Sequence, residues 1–219
     1  MDPGGLQYLP GQYVDVLLRD GRRRAFSVAN APREDDRLEL QIRHIPGGTF
    51  SEYAFHHLKE RALLRLRGPL GSFYLRKKDD RPIILMAGGT GFAPIKAIVE
   101  EALASGFPGK MHIYWGVRAR RDLYLHDALG DWAAAHEGVE YVPVLSEPLA
   151  EDAWSGRRGF VHEAVLEDFL DLSPFTVYAS GPPIMVRAGR EGFLARGLDP
   201  ARFHSDAFDY AYETGHDDA

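Results

Sequence analysis

Residues 83–94 of the chain read IILMAGGTGFAP, and this stretch decides the fold that the sequence predicts. Its first five residues form a continuous apolar run, which is typical of a strand buried on both faces of a parallel sheet. Three glycines follow, and an apolar helical pattern begins at Phe92. A glycine-rich turn between a strand and a helix favours nucleotide binding, because the backbone can approach a phosphate and the helix start attracts an anion.

Downstream of this stretch, strand-like and helix-like segments alternate along the chain. Such alternation predicts an α/β doubly wound parallel sheet. The predicted strands after the first are Met111–Trp115, Glu140–Val144, Phe175–Ala179 and Arg202–Asp206. The predicted helices are Phe92–Ala104, His126–Ala135, Val161–Leu170 and Pro183–Arg196.

Upstream, short β-like runs separated by turn residues predict an antiparallel β-barrel. One helix interrupts them at Phe50–Leu58, with Thr49 and Glu52 as a capping box at its start. We therefore expect two domains, a barrel over residues 1–79 and the α/β domain over residues 80–219. The predicted strands of the barrel are Gln12–Leu18, Arg24–Val28, Arg37–His44, Ala62–Arg67 and Ser72–Leu75.

Composition excludes several function classes. The 219 residues contain no cysteine, so the chain cannot form a disulfide or hold a zinc ion or an iron–sulfur cluster through thiolates. A formal net charge of −6 argues against general binding to nucleic acid or to an anionic membrane. No apolar run approaches the roughly 18 residues of a membrane helix, and the N-terminus lacks a signal-peptide pattern. We expect a cytoplasmic protein.

Candidate ligand-binding residues follow the strands of the α/β domain, because ligands bind beyond the carboxyl ends of such strands. The first group is Gly89, Thr90, Gly91 and Pro94, where the proline suits the first turn of a helix. A tight turn without a ligand is the alternative. Arg118 follows the second strand and suits a phosphate or a ribose, with a solvated loop as the alternative. The last group, after the fourth strand, is Ser180, Gly181 and Pro182.

The barrel contributes two further candidates. In the run Arg24–Ser27, Arg24 and Phe26 share one face of a strand and Ser27 faces the other way, so a cation and a ring could hold a phosphate and an aromatic group. An ordinary half-buried strand is the alternative. The second candidate is the turn Gly47–Ser51, which opens a helix. No metal site is expected, because His56 and His57 are adjacent and cannot share a helical face.

These motifs are similar to those of the ferredoxin–NADP reductase superfamily, and most similar to bacterial NAD(P)H-flavin reductases and to the reductase modules of oxygenases and of CDP-6-deoxy-glucoseen biosynthesis. The matching segments occur in the order of the family and cover nearly the whole chain. They are Leu9–Tyr13, Arg24–Ser27, Pro46–Ser51, Gly68–Gly71, Gly88–Pro94, Tyr114–Arg118, Gly181–Pro183 and Asp206–Phe208.

The resemblance implies an FAD-binding barrel, with FMN as the alternative flavin, followed by an NAD(P)-binding domain. Arg24 would pair with the flavin pyrophosphate, Phe26 would stack on the flavin, and Ser27 would lie near its reactive nitrogen. Phe26 stands where the family usually has tyrosine, so stacking is kept and a phenol hydrogen bond is lost. The other implied flavin-binding residues are Arg43, His44, Gly47, Gly48, Thr49 and Ser51.

For the nicotinamide nucleotide, the resemblance implies a cradle of Gly89, Thr90 and Gly91, with Arg118 on its phosphate or ribose. NADPH-preferring relatives carry a Ser-Arg pair at the position of Ser146 and Glu147. A carboxylate repels the 2′-phosphate and accepts hydrogen bonds from a free ribose, so we expect NADH to be favoured. Arg120 and Arg121 keep NADPH open as the alternative.

The chain departs from the family pattern in two places. Ser180 stands where many relatives have a cysteine; it still fits beside nicotinamide, and hydride transfer depends mainly on how the two rings are positioned. Only eight residues precede Leu9, so we expect a barrel without its opening strand, as in a fragment of a longer protein or with a strand from another chain. Asp206 and Phe208 lie where relatives approach the flavin, although a plain strand end is equally consistent with them.

The sequence thus predicts an NAD(P)H-dependent flavoprotein reductase with Ser27 and Ser180 as its catalytic residues. It would pass electrons to free flavin, to a separate ferredoxin or to an oxygenase component. Two alternatives stay open at this point, namely a non-catalytic nucleotide-binding or regulatory module and a truncated reductase that lacks a stable flavin.

Overall fold

The structure is a computed structural model, and it describes residues 6–18, 20–32, 37–76 and 79–207. The described chain forms two sheets, an antiparallel one followed by a parallel one. The predicted fold class is confirmed in this respect. The predicted domain boundary, between residues 79 and 80, lies in the segment that joins the two sheets. Phe208 and the rest of the chain's end lie outside the described residues.

The antiparallel sheet has three strands, β1 (Tyr13–Leu17), β2 (Arg23–Ser27) and β3 (Arg65–Leu70), in the order β2-β1-β3. Alternate residues of β1 are buried, which matches the alternating pattern of the sequence. Between β2 and β3 lies the helix α1 (Thr49–His56). The register pairs Tyr13 with Ser27, so the serine lies at the end of β2, where the chain leaves the sheet.

Two strands predicted in this first half are absent from the described residues. Only Leu40 of the predicted run Arg37–His44 forms a bridge, to Val28. The buried Asn30 takes the place of a strand partner here, because its side chain accepts from the Glu39 amide and donates to the Arg37 carbonyl. Backbone groups satisfied by a side chain need no β-ladder.

The run Ser72–Leu75 is also not a strand. Its two apolar residues, Phe73 and Leu75, are buried in the core of the parallel sheet. The backbone amide of Arg76 just beyond donates to the hydroxyl of Tyr178, 2.9 Å away. Alternation of apolar residues in this run therefore reflects packing between the two halves of the molecule rather than strand pairing.

The parallel sheet has six strands in the order β7-β6-β5-β4-β8-β9, and every neighbouring pair is parallel. The chain starts at a central strand, moves outward in one direction, and then crosses back to the other side. The strands are β4 (Ile83–Gly88), β5 (Met111–Val117), β6 (Val139–Leu145), β7 (Arg157–Arg158), β8 (Thr176–Gly181) and β9 (Phe203–Ala207). The two-residue β7 was not predicted, because so short a pairing leaves no hydrophobic pattern.

Four helices cover the two faces of this sheet, as the predicted doubly wound fold requires. Residues of α2 (Phe92–Ala104) and α3 (His126–Ala135) contribute to the core on one face. Residues of α4 (Val161–Asp168) and α5 (Pro183–Ala195) contribute to the core on the other. The strand β4 between them is buried along its whole length, as its continuous apolar run predicts.

A buried lysine joins the two halves of the molecule. The ammonium of Lys96 in α2 donates to the carbonyl of Ala29 at 3.0 Å and contacts the carboxylates of Glu39 and Glu100 at 2.9 and 2.8 Å. Glu100 also accepts from the Ala31 amide of the first half. These bonds hold the end of the antiparallel sheet against α2. Among the described residues, no helix combines the length and apolar character needed to cross a bilayer.

Candidate active site

The order of the strands places a crevice between β4 and β8. The chain leaves these two neighbours in opposite directions around the sheet, and ligands of open parallel sheets bind at this switch point, beyond the carboxyl ends of the strands. Gly88 ends β4 and Gly181 ends β8. The glycine-rich turns predicted from separate parts of the sequence therefore meet at one place.

Close backbone contacts explain why glycines occupy these turns. A Cβ atom on Gly91 would lie 2.3 Å from the carbonyl oxygen of Ser180, so any larger residue would push the two turns apart. Gly181 has a φ of +146°, and a Cβ there would lie 3.0 Å from Gly88. The turns after β4 and β8 thus touch through their backbones.

The turn Gly89–Gly91 is a single turn of 3-10 helix that leads into α2. The indole nitrogen of Trp115 donates to the Gly89 carbonyl at 2.9 Å, and the same indole stacks on Phe92 at 4.3 Å. Thr90 is half-buried, and Pro94 is buried in the first turn of α2. The turn is therefore fixed by the stacked rings of Trp115 and Phe92, a contact that the sequence motifs did not predict.

Ser180 sits inside β8 between Ala87 and Asp206 of the neighbouring strands. It is fully buried, and its hydroxyl has no hydrogen-bond partner among the residues that the structure describes. A buried hydroxyl without a partner is unfavourable, so this atom is suited to a hydrogen bond with a ligand. Pro182 follows as the residue before α5.

Arg118, predicted to contact the nucleotide's phosphate or ribose, and Glu147, predicted to favour NADH, lie side by side. Arg118 follows β5 and Glu147 follows β6, and the amide of Glu147 donates to the carbonyl of Arg118 at 2.9 Å. Both residues are exposed. They occupy the same edge of the sheet as the glycine turns, farther from the switch point. The preference for NADH is not tested by this placement and stays a prediction.

On the antiparallel sheet, β2 presents the predicted flavin-binding residues on its two faces. Arg24 and Phe26 are half-buried on one face, and the ring of Phe26 lies 5.2 Å from that of Phe50 in α1. The guanidinium of Arg24 donates to the carbonyl of Arg23. Ser27 is buried on the other face. The alternation predicted for this strand is therefore observed.

The start of α1 differs from the predicted capping box. Gly48 is the N-cap, and no side chain caps this helix start. The carboxylate of Glu52 instead accepts from the amide of Gly47, one residue earlier, at 3.0 Å. Gly47 has a φ of +77°, which glycine adopts without strain. The chain reverses at Gly47 and Gly48, so the N-cap is Gly48 rather than the predicted Thr49. Because glycine has no side chain, the N-cap offers no acceptor to the amides at the start of α1.

Side-chain hydrogen bonds close the turn before α1 and place an arginine at the start of the helix. The hydroxyl of Ser51 donates to the carbonyl of Ile45 and accepts from its amide, which closes the turn. Arg22 donates to the hydroxyl of Thr49 at 2.9 Å and so brings a guanidinium to the start of α1. Sequence reasoning missed Arg22, because only the pairing of β2 with its neighbours brings it near. Arg43 is exposed, and His44 is half-buried beside Glu52.

The two predicted catalytic serines, which come from different halves of the chain, are both related to Asp206: Ser27 bonds to its carboxylate, and Ser180 is its neighbour in the sheet. The hydroxyl of Ser27 donates to the Asp206 carboxylate over a long 3.5 Å. In the parallel sheet, Asp206 is the direct neighbour of Ser180. Burial raises the pKa of Asp206 to about 6, although the hydrogen bond from Ser27 lowers it. A half-buried carboxyl group with a raised pKa, bonded to Ser27 and next to Ser180 in the sheet, makes this point a candidate functional site.

Comparison with known proteins agrees with this geometry. The family described as Oxidoreductase FAD-binding domain matches residues 2–74, and the family described as Oxidoreductase NAD-binding domain matches residues 85–191. The chain belongs to the ferredoxin reductase family. Members of this family bind FAD in the first domain and a nicotinamide nucleotide in the second, and this family member carries both domains in that order.

Named relatives of this ferredoxin reductase family member are reductases. The CDP-6-deoxy-L-threo-D-glycero-4-hexulose-3-dehydrase reductase of Yersinia pestis is 45% identical over 203 residues, which are 93% of this chain and 60% of that protein. The naphthalene 1,2-dioxygenase system ferredoxin–NAD(P)(+) reductase component of Pseudomonas putida is 36% identical over 203 residues, covering 92% and 61%. The chain thus spans about three fifths of the length of these relatives.

A solved structure agrees with the fold. The crystal structure of the cytochrome P450 reductase GcoB of Amycolatopsis matches with a TM-score of 0.86 and 35% identity, over 94% of this chain and 62% of that one.

The residues of the site fit both cofactors of the family. The backbone contact between Gly91 and Ser180 leaves no room for a side chain, and the unpartnered Ser180 hydroxyl offers a donor at the switch point. On the other side, the α1 start has no side-chain cap, and Arg22 is held beside it. One half therefore suits a nicotinamide nucleotide, and the other suits a flavin pyrophosphate.

Proposed function

We propose that this protein is an NAD(P)H-dependent flavoprotein reductase that uses FAD and favours NADH. The observation that carries the proposal is the hydrogen bond from Ser27 of the first half to Asp206, whose strand neighbour at the carboxyl end of the parallel sheet is Ser180. When bound there, FAD supplies the chemistry, since it accepts a hydride from the nicotinamide and passes electrons onward.

The chain's own residues would position the nicotinamide nucleotide. The turn Gly89–Gly91 and the start of α2 offer backbone amides to the pyrophosphate. The Ser180 hydroxyl would donate to the nicotinamide end, which gives this buried atom a partner. Arg118 would contact phosphate or ribose oxygens, and Glu147 would accept from a ribose hydroxyl. Because hydride transfer needs the two rings aligned, these contacts contribute mainly by orientation.

Another set of residues would hold the flavin. Arg24 and Arg22 would neutralise the pyrophosphate at the uncapped start of α1, and Phe26 would cover the ring system with its aromatic face. Ser27 is a donor at the buried end of β2 and would bond to the reactive edge of the flavin. Asp206 accepts from Ser27 and would hold or release a proton at its carboxyl oxygen near pH 6.

The electron acceptor would be a separate ferredoxin, an oxygenase component or free flavin. The relatives support the first two, because they include ferredoxin–NAD(P)(+) reductase and dioxygenase reductase components. We place the protein in the cytoplasm, where NADH is supplied. Neither nucleic acid nor a membrane is part of the proposal.

Reconstitution tests this function. The protein is purified, loaded with FAD, freed of excess flavin, and assayed with NADH and ferricyanide as a general electron acceptor. The proposal predicts turnover that requires bound FAD and decreases in Ser27→Ala and Ser180→Val. Tight FAD and NADH binding without turnover would point to a non-catalytic nucleotide-binding module, and no retained flavin would contradict the proposal.

A further inference from the structure

Three potential metal ligands meet beside α1, on the side of the loop that precedes it. The Nε2 atom of His44 lies 3.2 Å from one carboxylate oxygen of Glu52, and the Nε2 atom of His56 lies 3.3 Å from the other. All three ligand atoms lie within 4.8 Å of one another. We call these three residues the His-Glu-His cluster.

We propose that the His-Glu-His cluster binds a divalent transition-metal ion of the zinc type. Two imidazoles and one carboxylate are a ligand set that zinc accepts, with bonds of roughly 2.0 to 2.2 Å. Tetrahedral bonds of that length separate neighbouring ligand atoms by about 3 to 3.5 Å. Each histidine Nε2 atom lies within this range of one carboxylate oxygen of Glu52, a different oxygen for each histidine. Three protein ligands leave the fourth position to water.

The surroundings of the His44 Nε2 atom favour a bound metal ion over a simple ion pair between His44 and Glu52. Its Nε2 atom is shielded from solvent, yet it has no hydrogen-bond partner among the described residues. The nearby Glu52 oxygen is therefore a charge contact without hydrogen-bond geometry. A shielded ring nitrogen that lacks a hydrogen bond is unfavourable unless something else binds its lone pair.

Neighbouring groups hold the ligands in place. The ring of His44 packs against Phe55 at 5.1 Å and meets the ring of His56 edge-on at 5.4 Å. The Gly47 amide donates to a carboxylate oxygen of Glu52 at 3.0 Å. These contacts orient one carboxylate and two imidazoles toward the same point, which is what a bound metal ion requires.

Sequence reasoning predicted no metal site, because it compared His56 only with its neighbour His57. The helix brings Glu52 and His56 together at a spacing of four residues, and the turn before α1 adds His44 from outside the helix. An ion at the cluster would join the segment ahead of α1 to the helix itself. It would thereby stabilise the folded chain.

Isothermal titration of the full chain, stripped of metal by a chelator, with zinc chloride tests the proposal. We expect one tight site in the wild type, together with a higher melting temperature when zinc is present. His56→Gln and Glu52→Gln should each weaken zinc binding by about tenfold or more. His57→Gln is the matched control, because it removes the adjacent histidine and leaves the His-Glu-His cluster intact; it should bind zinc as the wild type does.

Cobalt substitution provides a second measurement. Cobalt bound by the cluster should give a visible d–d spectrum in the wild type and in His57→Gln, and lose it in His56→Gln. Circular dichroism confirms that each variant is folded, which is expected because His56 is exposed. Zinc affinity equal in His56→Gln and the wild type, or lost in His57→Gln instead, would overturn the proposal. Neither readout needs flavin or turnover, so failure here leaves the proposed reductase function untouched.

Discussion

At the scale of single residues, the site depends on polar side chains whose hydrogen bonding and pKa are set by their burial. The Ser180 hydroxyl is fully buried without a partner, and the Asp206 carboxyl is shielded enough for its pKa to rise to about 6. Neither feature is readable from the motif alone. The sequence identified Ser27 and Ser180 as candidates, but only the structure shows that Asp206 neighbours Ser180 in the sheet and accepts a hydrogen bond from Ser27.

Replacing Asp206 by asparagine should change how stability depends on pH. Burial raises the carboxyl's pKa from 3.8 to about 6, so the folded state binds this proton more tightly than the unfolded state. The contribution of protonated Asp206 to the free energy of unfolding is therefore complete below pH 4 and is lost as the pH rises through 6. Relative to the wild type, Asp206→Asn should therefore gain unfolding free energy between these values, by up to about 3 kcal/mol.

Urea unfolding at several pH values measures this difference. Asp131→Asn, which changes an exposed carboxylate on α3, serves as the control and should show a difference that is nearly independent of pH. A constant difference between Asp206→Asn and the wild type from pH 4 to pH 8 would show that the Asp206 carboxyl is not buried as described.

Glu147→Arg tests the residue proposed to favour NADH. A guanidinium in place of the carboxylate should attract the 2′-phosphate, so the ratio of kcat/KM for NADPH to that for NADH should rise by about tenfold. Glu151→Arg places the same charge nearby on the same side of the sheet and should leave the ratio nearly unchanged. The assignment of Glu147 fails if both variants shift the ratio equally.

At the scale of elements, the turns were predictable and some strands were not. Gly88, Gly91 and Gly181 could be placed at one sheet edge from the sequence, because parallel strands end at the same side. The predicted strand at residues 37–44 failed because the side chain of Asn30 satisfies the backbone there. The predicted capping box failed because the N-cap of α1 is Gly48, which has no side chain, rather than Thr49. Neither effect leaves a periodic pattern in the sequence.

Gly91→Ala tests the contact between the two turns. The added Cβ would lie 2.3 Å from the Ser180 carbonyl oxygen, so the backbone must shift. We expect destabilisation of about 1 to 3 kcal/mol, together with a large loss of NADH affinity. Gly130→Ala is the control, because nothing lies within 4 Å of its Cβ on α3, and it should stabilise the protein by up to about 1 kcal/mol. Calorimetry and NADH titration of both variants provide the comparison.

At the scale of the whole molecule, the two halves are joined by hydrogen bonds and ion pairs that the hydrophobic pattern of the sequence does not predict. Lys96 lies on a helix that reads as apolar, yet its ammonium reaches Ala29 and Glu39 of the other half. The order of the domains followed from the motifs, because each half has its own signature. The way they dock did not, since it depends on contacts such as Arg76 with Tyr178, which are distant in the sequence.

Lys96→Met tests this docking. The Glu100 carboxylate and the Ala29 carbonyl would lose the Lys96 ammonium as a partner, in surroundings that are largely buried. We therefore expect the free energy of unfolding to decrease by about 2 kcal/mol. Lys110→Met, at an exposed position, should stay within about 0.5 kcal/mol of the wild type. Equal stability of the two variants in urea would contradict a joining role for Lys96.

We propose that NADH passes a hydride to a flavin bound between the two halves of the molecule. The most direct measurement is the visible flavin spectrum of the FAD-loaded protein, mixed with NADH in the absence of oxygen. We expect stoichiometric NADH to bleach the flavin band of the wild type, and to do so more slowly in Ser27→Ala. A bound flavin whose spectrum stays oxidised in excess NADH would contradict it.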